Sequence, residues 1–319
     1  MLIAAPEIPA DLQAMLEGDM DFRLRLLSHS SRSLLHSCPR KYQLYRLGNP
    51  AREYDEHTDF GTVVGEGIQH YMLHGDFQAA VFRMFTLFRG DLFEDGVRSR
   101  KTFLHAVYAL KQFQIIKNTL LADYEVATFN DRPALELGFS VSVGNEFAYR
   151  GKVDIILRNK LTGLLLVLEL KTSKDEAKQE KYGNAGQGLG YSIFTRQISP
   201  AADKFNVLYL VYQTMAQEFA PLMFVKQHTE RALWIQDLIA DCQLLGVYNQ
   251  FEVWPRHGES CMSFNRPCNW YGMCHMRNSN LFADITDEER DKVLRDETNY
   301  TFRLDITSLL TTQITEIHQ

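Results

Sequence analysis

Three strand-like runs follow one another closely in the middle of the sequence, and they constrain the fold most. The runs "ALELGFSVSV", "FAYRGKVDIILRN" and "GLLLVLELKTS" are separated by short turn signals such as "GN" and "NKLTG". A helix is predicted over 176–197, and "KFNVLYLVYQT" and "EFAPLMFVKQ" predict two more strands. About five strands joined by a crossover helix predict an α/β (α+β) core with a mixed sheet flanked by helices.

Helical patterns lie on both sides of these runs. Residues 31–46 predict a short helix, a Cys-Pro break and a second helix, and residues 61–123 are mostly helical. A long helix is expected around 229–249, followed by an irregular stretch and a C-terminal helix in "DEERDKVLRD". We therefore expect an N-terminal helical region over 1–124, a sheet-containing core over 125–250, and a cysteine-rich segment with a helix and tail over 251–319.

Composition and charge indicate an ordinary globular protein. The 319-residue chain is 45% apolar and 23% charged. Its net charge of −6 disfavours non-specific coating of nucleic acid, although bound cations can invert the field of a local groove. No apolar run approaches the roughly 18 residues of a membrane span, and the acidic N-terminus lacks the basic region of a secretory signal. We expect no membrane association and a cytoplasmic location.

Two charges occupy the most apolar part of the third run, "LLLVLELK". Because strand side chains alternate faces, Leu166, Leu168 and Leu170 share one face, while Glu169 and Lys171 share the other. Burying a carboxylate or an ammonium costs several kcal/mol unless it is paired or bound. The pattern therefore predicts either a functional pair or a cross-strand ion pair on a solvated sheet face.

The preceding run adds a second carboxylate. In "RGKVDIIL", Asp154 shares a face with Lys152 and Ile156, and "RNKLTG" supplies a hairpin turn to the next strand. Pairing the strands through that turn brings Asp154 within reach of Glu169. Two such oxygen ligands suit Mg²⁺ or Mn²⁺, and Lys171 can stabilise charge on a phosphate undergoing hydrolysis.

This constellation resembles the PD-(D/E)XK nuclease superfamily. Asp154 and the Glu169-Leu170-Lys171 triplet stand at the motif positions, with Val153 where the family name has proline. The resemblance implies a restriction-endonuclease-like core. It also implies one or two Mg²⁺ or Mn²⁺ ions held by Asp154, Glu169 and the Leu170 carbonyl, with Lys171 as the catalytic amine.

The helix predicted after this strand narrows the resemblance to the RecB-like branch. "GQGLGY" contains Gln187 and Tyr191 in that branch's Q-x-x-x-Y spacing, which places both side chains on one helix face. There they would contact DNA or order the site. Basic residues near the site are candidates for phosphate contacts: Lys152, Lys174, Lys178 and Arg196.

The third metal ligand is the least defined part of the resemblance. RecB-like nucleases often carry an upstream G-x-x-x-H motif, but here Gly61 is followed by Gly65 at the histidine position. Glu66 or His70 can substitute for that histidine. Glu136, just before the Asp154 strand, also stands where the branch often has an acidic residue, although a strand-surface glutamate is the plainer interpretation.

The five cysteines suggest a second metal. An odd number without a secretory signal argues against a disulfide framework. Cys261, Cys268 and Cys274 cluster near the C-terminal end, Cys38 lies in the N-terminal Cys-Pro break, and Cys242 belongs to a helix as a buried thiol. This layout of one cysteine before the core and three after it resembles RecB-like iron–sulfur nucleases. It implies a structural [4Fe–4S] cluster, with structural Zn²⁺ as the alternative.

Together the resemblances imply a metal-dependent deoxyribonuclease acting on single-stranded DNA or duplex ends. An exonuclease of phage or bacterial DNA recombination, repair or processing is the main expectation. A catalytically silent DNA-binding module with a structural cluster and a CRISPR-type spacer-processing nuclease remain as alternatives.

Overall fold

The computed structural model describes residues 20–47, 56–93, 100–129, 131–144, 146–198, 205–263, 266–275 and 302–306. The chain divides into two compact units that share strands. The first unit comprises 1–51, 138–151 and 229–319, and the second comprises 52–137 and 152–228. The predicted three-part division along the chain stays a prediction.

Nine helices are found in the described ranges. They are α1 (Phe22–Arg25), α2 (His29–Ser37), α3 (Pro39–Leu47), α4 (Glu56–His74), α5 (Phe77–Leu87), α6 (Phe103–Asn118), α7 (Gln179–Gly183), α8 (Gly186–Ile198) and α9 (His228–Gln250). The expected break before Pro39 is confirmed, because α2 ends at Ser37 and α3 begins at Pro39. The helix expected in "DEERDKVLRD" lies outside the described residues.

The strands of the described ranges are β1 (Leu26–Leu27), β2 (Tyr124–Val126), β3 (Thr128–Phe129), β4 (Arg132–Pro133), β5 (Leu135–Val143), β6 (Phe147–Asn159), β7 (Leu165–Ser173), β8 (Phe205–Gln213), β9 (Glu218–Lys226), β10 (Met262–Ser263), β11 (Arg266–Pro267) and β12 (Phe302–Asp305). Eight of them form one mixed sheet with the main order β12-β5-β6-β7-β8-β9. The five predicted strands are β5 to β9. A mixed sheet with flanking helices confirms the predicted fold class.

The hairpin between β6 and β7 determines the register on which the predicted site depends. The strands pair antiparallel, with Ile155 opposite Leu168 and Ile156 opposite Val167. Asn159 stabilises the turn by accepting backbone N–H groups through its side chain, and Gly163 has the positive φ of 70° that favours glycine. A slip of one residue would move every side chain of β7 to the other face.

The leucine face of β7 belongs to the core of the second unit. Leu166 and Leu168 are buried with residues of α4 and α6, among them Ile68 and Phe113. Each such buried side chain contributes about 2 kcal/mol through removal from water. β8 continues the layer in parallel with β7, and β9 pairs antiparallel with β8.

The helix predicted over 176–197 is two helices. α7 ends at Gly183 and α8 begins at Gly186, so the break falls at residues 184 and 185. Glycines on both sides weaken helix propagation, and the Gly183 carbonyl accepts a hydrogen bond from the buried Lys226 ammonium. A Cβ on Gly183 would approach Phe224 to 3.2 Å, so this close packing favours glycine at the break.

Candidate active site

The β6–β7 register places the two predicted carboxylates side by side. One residue beyond the Ile155–Leu168 pair, Asp154 lies across from Glu169, and opposite residues share a face. The backbone N–H of Leu170 donates to Asp154 Oδ2 at 2.8 Å, which fixes the aspartate orientation. The structure therefore brings Asp154 and Glu169 together at the point predicted from the sequence.

Glu169 is almost completely enclosed, with only 1% of its surface exposed. One oxygen, Oε1, lies 2.6 Å from Lys171 Nζ. The other, Oε2, is buried with no hydrogen-bond partner. Because Glu169 is buried, it does not form an ion pair on a solvated sheet face, which was one of the two alternatives predicted from the sequence. A buried carboxylate oxygen without a hydrogen-bond partner also costs free energy.

Two residues of α8 support the same carboxylate. The Tyr191 hydroxyl donates a hydrogen bond to Glu169, and Gln187 Nε2 lies 2.5 Å from the Tyr191 oxygen. Their spacing of four residues along α8 places them on one helix face. These contacts support the ordering role considered for the pair, and both that role and DNA contact stay predictions.

Burial and electrostatic interactions shift the pKa values of the site residues. Burial first, and the neighbouring Glu169 second, raise the pKa of Asp154 well above its ordinary value. Burial also raises the pKa of Glu169, although Lys171 and Tyr191 oppose the change. Burial alone would lower the pKa of Lys171, but the two carboxylates outweigh it and raise that pKa. Lys171 is therefore a cation, and the acidic pair favours a further positive charge nearby.

A third carboxylate, that of Glu136, acts on both members of this pair. Its negative charge contributes to the raised pKa of Asp154 and of Glu169. Glu136 belongs to β5 and has a φ of 49°, an unusual value for a residue with a side chain. Gln69 Nε2 on α4 donates to Glu136 Oε1 at 2.7 Å. Sequence inspection did not identify Gln69, although it lies four residues after Gly65 on the same helix.

The other two candidates for the third ligand contact other side chains, and the buried Nδ1 of His70 has no hydrogen-bond partner in the described part of the chain. The Glu66 carboxylate accepts a hydrogen bond from Arg83 on α5 at 3.0 Å. The His70 ring lies 4.5 Å from that of His74, measured between centroids. At the histidine position itself, a Cβ on Gly65 would meet no atom within 4 Å. The space is open, and Glu136 is the candidate whose charge acts on the pair.

Tyr182 is a further residue that the sequence did not indicate. It is buried on the short helix α7, and its ring packs 5.2 Å from that of Tyr209. Lys171 and Tyr182 act on each other electrostatically, since the lysine opposes the burial that raises the pKa of Tyr182. No motif spacing pointed to Tyr182, because its position depends on the break between α7 and α8.

The donor set fits a hard divalent cation. Three carboxylates act on one another, and Glu169 Oε2 is buried without a hydrogen-bond partner, although Lys171 binds the other oxygen. Among the residues that the structure describes, no three His, Cys, Asp or Glu side chains already converge as a metal site. The predicted ligand roles of Asp154, Glu169 and the Leu170 carbonyl therefore stay proposals.

Three of the four predicted phosphate contacts are exposed lysines of the second unit. Lys152 on β6 is exposed, as are Lys174 and Lys178 in the segment that follows β7. Arg196 belongs to α8, and its side chain lies outside the described part of the structure. The three exposed lysines are accessible to a DNA backbone.

Four of the five cysteines line one cavity in the first unit. Cys38 terminates α2, Cys261 and Cys268 flank the β10–β11 hairpin, and Cys274 follows a short 3-10 helix. The space between atoms there totals about 300 Å³, including its opening to solvent. Cys242 is buried on α9, as expected.

Hydrogen bonds to backbone carbonyls connect the segments that carry these cysteines. The Cys268 N–H donates to the Cys261 carbonyl at 2.8 Å, and Arg40 Nε donates to the Cys274 carbonyl at 3.2 Å. Burial, followed by Cys38, raises the pKa of the Cys274 thiol, and Cys261 adds to this shift. Four thiols therefore line one cavity, and their proposed role as ligands of zinc or an iron–sulfur cluster stays a prediction.

Comparison with known proteins identifies the family. The profile of the PD-(D/E)XK nuclease superfamily matches residues 26–275, which include both the carboxylate site and the four cysteines. No curated protein sequence is significantly similar to the chain. Within the described residues, no helix is long and apolar enough to cross a membrane.

Two solved structures resemble the chain weakly. A provisionally named exonuclease from Eubacterium rectale is 12% identical with a TM-score of 0.48, and the match covers 80% of this chain and 94% of that one. The protein SSO0001 is 15% identical with a TM-score of 0.31, covering 78% of this chain and 97% of that one. Since these likenesses are weak, the assignment rests on the profile and on the geometry of Asp154, Glu169 and Lys171: the chain belongs to the PD-(D/E)XK nuclease superfamily.

Proposed function

We propose that this protein is a Mg²⁺- or Mn²⁺-dependent deoxyribonuclease that hydrolyses phosphodiester bonds with Asp154, Glu169 and Lys171. The observation that carries the proposal is the enclosed Glu169 carboxylate. It faces Asp154, binds Lys171 through one oxygen, and leaves the other oxygen without a partner. Lys171 is one cation beside three acids, so the buried pair and Glu136 favour a further positive charge. Such an arrangement is common at functional sites.

The residues of the chain have separate tasks in this reaction. Asp154, Glu169, Glu136 and the Leu170 carbonyl would hold the metal ion, which supplies Lewis-acid stabilisation and a water of lowered pKa. The Leu170 N–H keeps Asp154 oriented. Lys171, held as a cation by Glu169, can stabilise negative charge on the phosphate or donate a proton to the leaving oxygen.

The supporting residues keep this geometry fixed. Gln187 holds Tyr191, and Tyr191 donates to Glu169, so the carboxylate is oriented before any ligand arrives. Exposed Lys152, Lys174 and Lys178, with Arg196 on α8, would bind the DNA backbone without reading sequence.

The finer assignment rests on the resemblance to RecB-like nucleases. The Gln187–Tyr191 pair and the order of the cysteines support an exonuclease of bacterial or phage recombination and repair, acting in the cytoplasm on single strands or duplex ends. A catalytically silent DNA-binding module is the second candidate. It is favoured by one observation, the open space at Gly65 where a histidine ligand is expected.

Cys38, Cys261, Cys268 and Cys274 are proposed to hold a [4Fe–4S] cluster that stabilises the first unit, with Zn²⁺ as the alternative. Their common cavity and the electrostatic effect of Cys38 and Cys261 on the Cys274 thiol support this assignment. The group would link the end of α2 to the irregular segment beyond α9. Its proposed role is structural, since it would lie among the thiols of the first unit and not among the carboxylates of the second.

Cleavage assays test the nuclease proposal directly. The purified protein is incubated with Mn²⁺ or Mg²⁺ and end-labelled single- or double-stranded DNA. Lys171→Ala should lower the cleavage rate by about 10²–10³-fold, as loss of a transition-state cation does. The matched control is Lys111→Ala, which alters an exposed lysine of α6 and should leave the rate unchanged. Wild-type protein that leaves both substrates intact would favour the silent module instead.

A further inference from the structure

The hydrogen bond between Gln69 and Glu136 joins a helix to a strand that is distant in sequence. Gln69 Nε2 lies 2.7 Å from Glu136 Oε1. A hydrogen bond to a charged acceptor is stronger than one between neutral groups, and it selects one orientation of the carboxylate. The Glu136 carboxylate is exposed, so solvation alone would let it turn away from the other acids.

The backbone of Glu136 is also held in a rarely populated conformation. Its φ of 49° lies in the left-handed region, which costs a residue with a Cβ about 1 kcal/mol or more. Such conformations persist where surrounding contacts favour them, and they concentrate at functional sites. Here the neighbouring Ala134 is buried, and its carbonyl accepts the N–H of Ile156, so the chain just before Glu136 is anchored.

The helix face that carries Gln69 also explains why residue 65 is not the third metal ligand. Gly61, Gly65 and Gln69 follow one another at four-residue spacing and therefore lie along one side of α4. A Cβ on Gly61 would lie 3.2 Å from Thr172 of β7, and Gln69 reaches Glu136 of β5. Gly65 lies one turn from each contact and offers no side chain to the open space there.

We propose that Gln69 is a positioning residue, whose amide holds Glu136 towards Asp154 and Glu169 so that Glu136 serves as the third metal ligand in place of a histidine at position 65. This inference rests on the proposed metal-dependent function and adds a residue to it. Gln69 itself does not touch the metal or the substrate. Its effect passes through the orientation of one carboxylate.

Mn²⁺ binding followed by electron paramagnetic resonance tests the role without relying on catalysis. Gln69→Leu, which removes the donor at similar size, should weaken Mn²⁺ binding about 10-fold, as loss of an outer-shell partner does. Glu136→Gln should weaken it at least as much. In the double variant Gln69→Leu should add nothing, since its effect passes through Glu136. Gln78→Leu, on α5, is the matched control and should bind Mn²⁺ like the wild type.

Cleavage assays and melting curves separate this role from structural damage. Gln69→Leu should lower kcat at limiting Mn²⁺, recover at saturating Mn²⁺, and leave KM for DNA and Tm unchanged. The role of Gln69 would be overturned if Gln69→Leu left the Mn²⁺ affinity unchanged. It would also be overturned if the double variant lost Mn²⁺ affinity by the product of the losses in Gln69→Leu and Glu136→Gln. Wild-type protein that binds Mn²⁺ but cleaves no DNA would overturn the nuclease proposal alone, because the binding comparison would still stand.

Discussion

The carboxylate site of the second unit and the cysteine cavity of the first are organised in different ways. Asp154 and Glu169 lie on paired strands, and hydrogen bonds from Leu170 and Tyr191 orient them. The cysteines come from a helix end and from an irregular segment joined by a few backbone contacts. Sites built on strands are rigid before a ligand binds, whereas short irregular segments depend on their ligand for order.

The difference predicts what each region loses without its metal. The carboxylate site should keep its geometry and gain electrostatic strain, because the strands around it pack in a large core. The cysteine region should lose structure, because its described hairpin contains only two residues in each strand. Substitutions in the two regions should therefore have different signs of effect on stability.

The largest effect is expected at Cys38. Cys38→Ala removes the one proposed ligand that comes from α2, so the remaining thiols no longer link the two segments. The free energy of unfolding should fall by several kcal/mol, since metal binding contributes directly to folding at structural sites. The broad absorbance at roughly 400 nm and the iron content should disappear with it.

Cys242→Ala is the matched control for this substitution, because Cys242 is buried on α9 outside the cavity. It should lower Tm slightly and keep the absorbance. A Cys38→Ala protein with full iron content would remove Cys38 from the ligand set. Loss of Mn²⁺ binding in the same variant would show that the two regions are not independent.

The next effect is expected at Tyr191. Tyr191→Phe removes the hydroxyl that donates to Glu169 and should weaken Mn²⁺ binding and slow cleavage, each about 10-fold. Tyr212→Phe is the control, because the Tyr212 hydroxyl is buried without a hydrogen-bond partner, and its removal should not reduce stability. Equal Mn²⁺ affinities for wild type and Tyr191→Phe would mean that the strands alone orient Glu169.

Asp154→Asn should raise the stability of the metal-free protein, whereas Cys38→Ala lowers stability. Burial and Glu169 raise the pKa of Asp154, so its contribution is complete below the ordinary pKa and is lost as pH rises through the raised value. Asparagine stays neutral and can still accept from Leu170. Without metal, Asp154→Asn should melt a few degrees above wild type at about pH 8, with no such advantage at about pH 3, below the ordinary pKa.

The same melting temperatures are then measured with added Mn²⁺. Mn²⁺ at 100 times its Kd would stabilise wild type by about 2.7 kcal/mol and should remove the advantage of Asp154→Asn. Asp175→Asn changes an exposed aspartate of the same unit and should show neither trend. A wild type that is more stable than Asp154→Asn in metal-free buffer at high pH would contradict the electrostatic account.

The sequence predicted those parts of the site that depend on local pattern. Alternation along β7 and the short turn to β6 placed Asp154 beside Glu169, because both signals act within about twenty residues. The Gln69–Glu136 contact joins α4 to β5 across the packed core, and no spacing rule encodes it. The break before α8 was also missed, since it depends on Lys226 and Phe224 from β9, which a helical pattern in the sequence does not include.

The smallest expected effect tests the open position itself. Gly65→His places a side chain where no atom lies within 4 Å of the new Cβ, one turn from Gln69. Replacing a helical glycine should add a few tenths of a kcal/mol to the free energy of unfolding. Gly246→His on α9, where the space is equally open, should give the same gain. Only Gly65→His should also tighten Mn²⁺ binding several-fold, because residue 65 lies one turn before Gln69, which contacts Glu136. Equal Mn²⁺ affinity in Gly65→His and Gly246→His would mean that Glu136 already completes the ligand set. Weaker Mn²⁺ binding in Gly65→His would mean that the substrate or the ion needs the open space at residue 65.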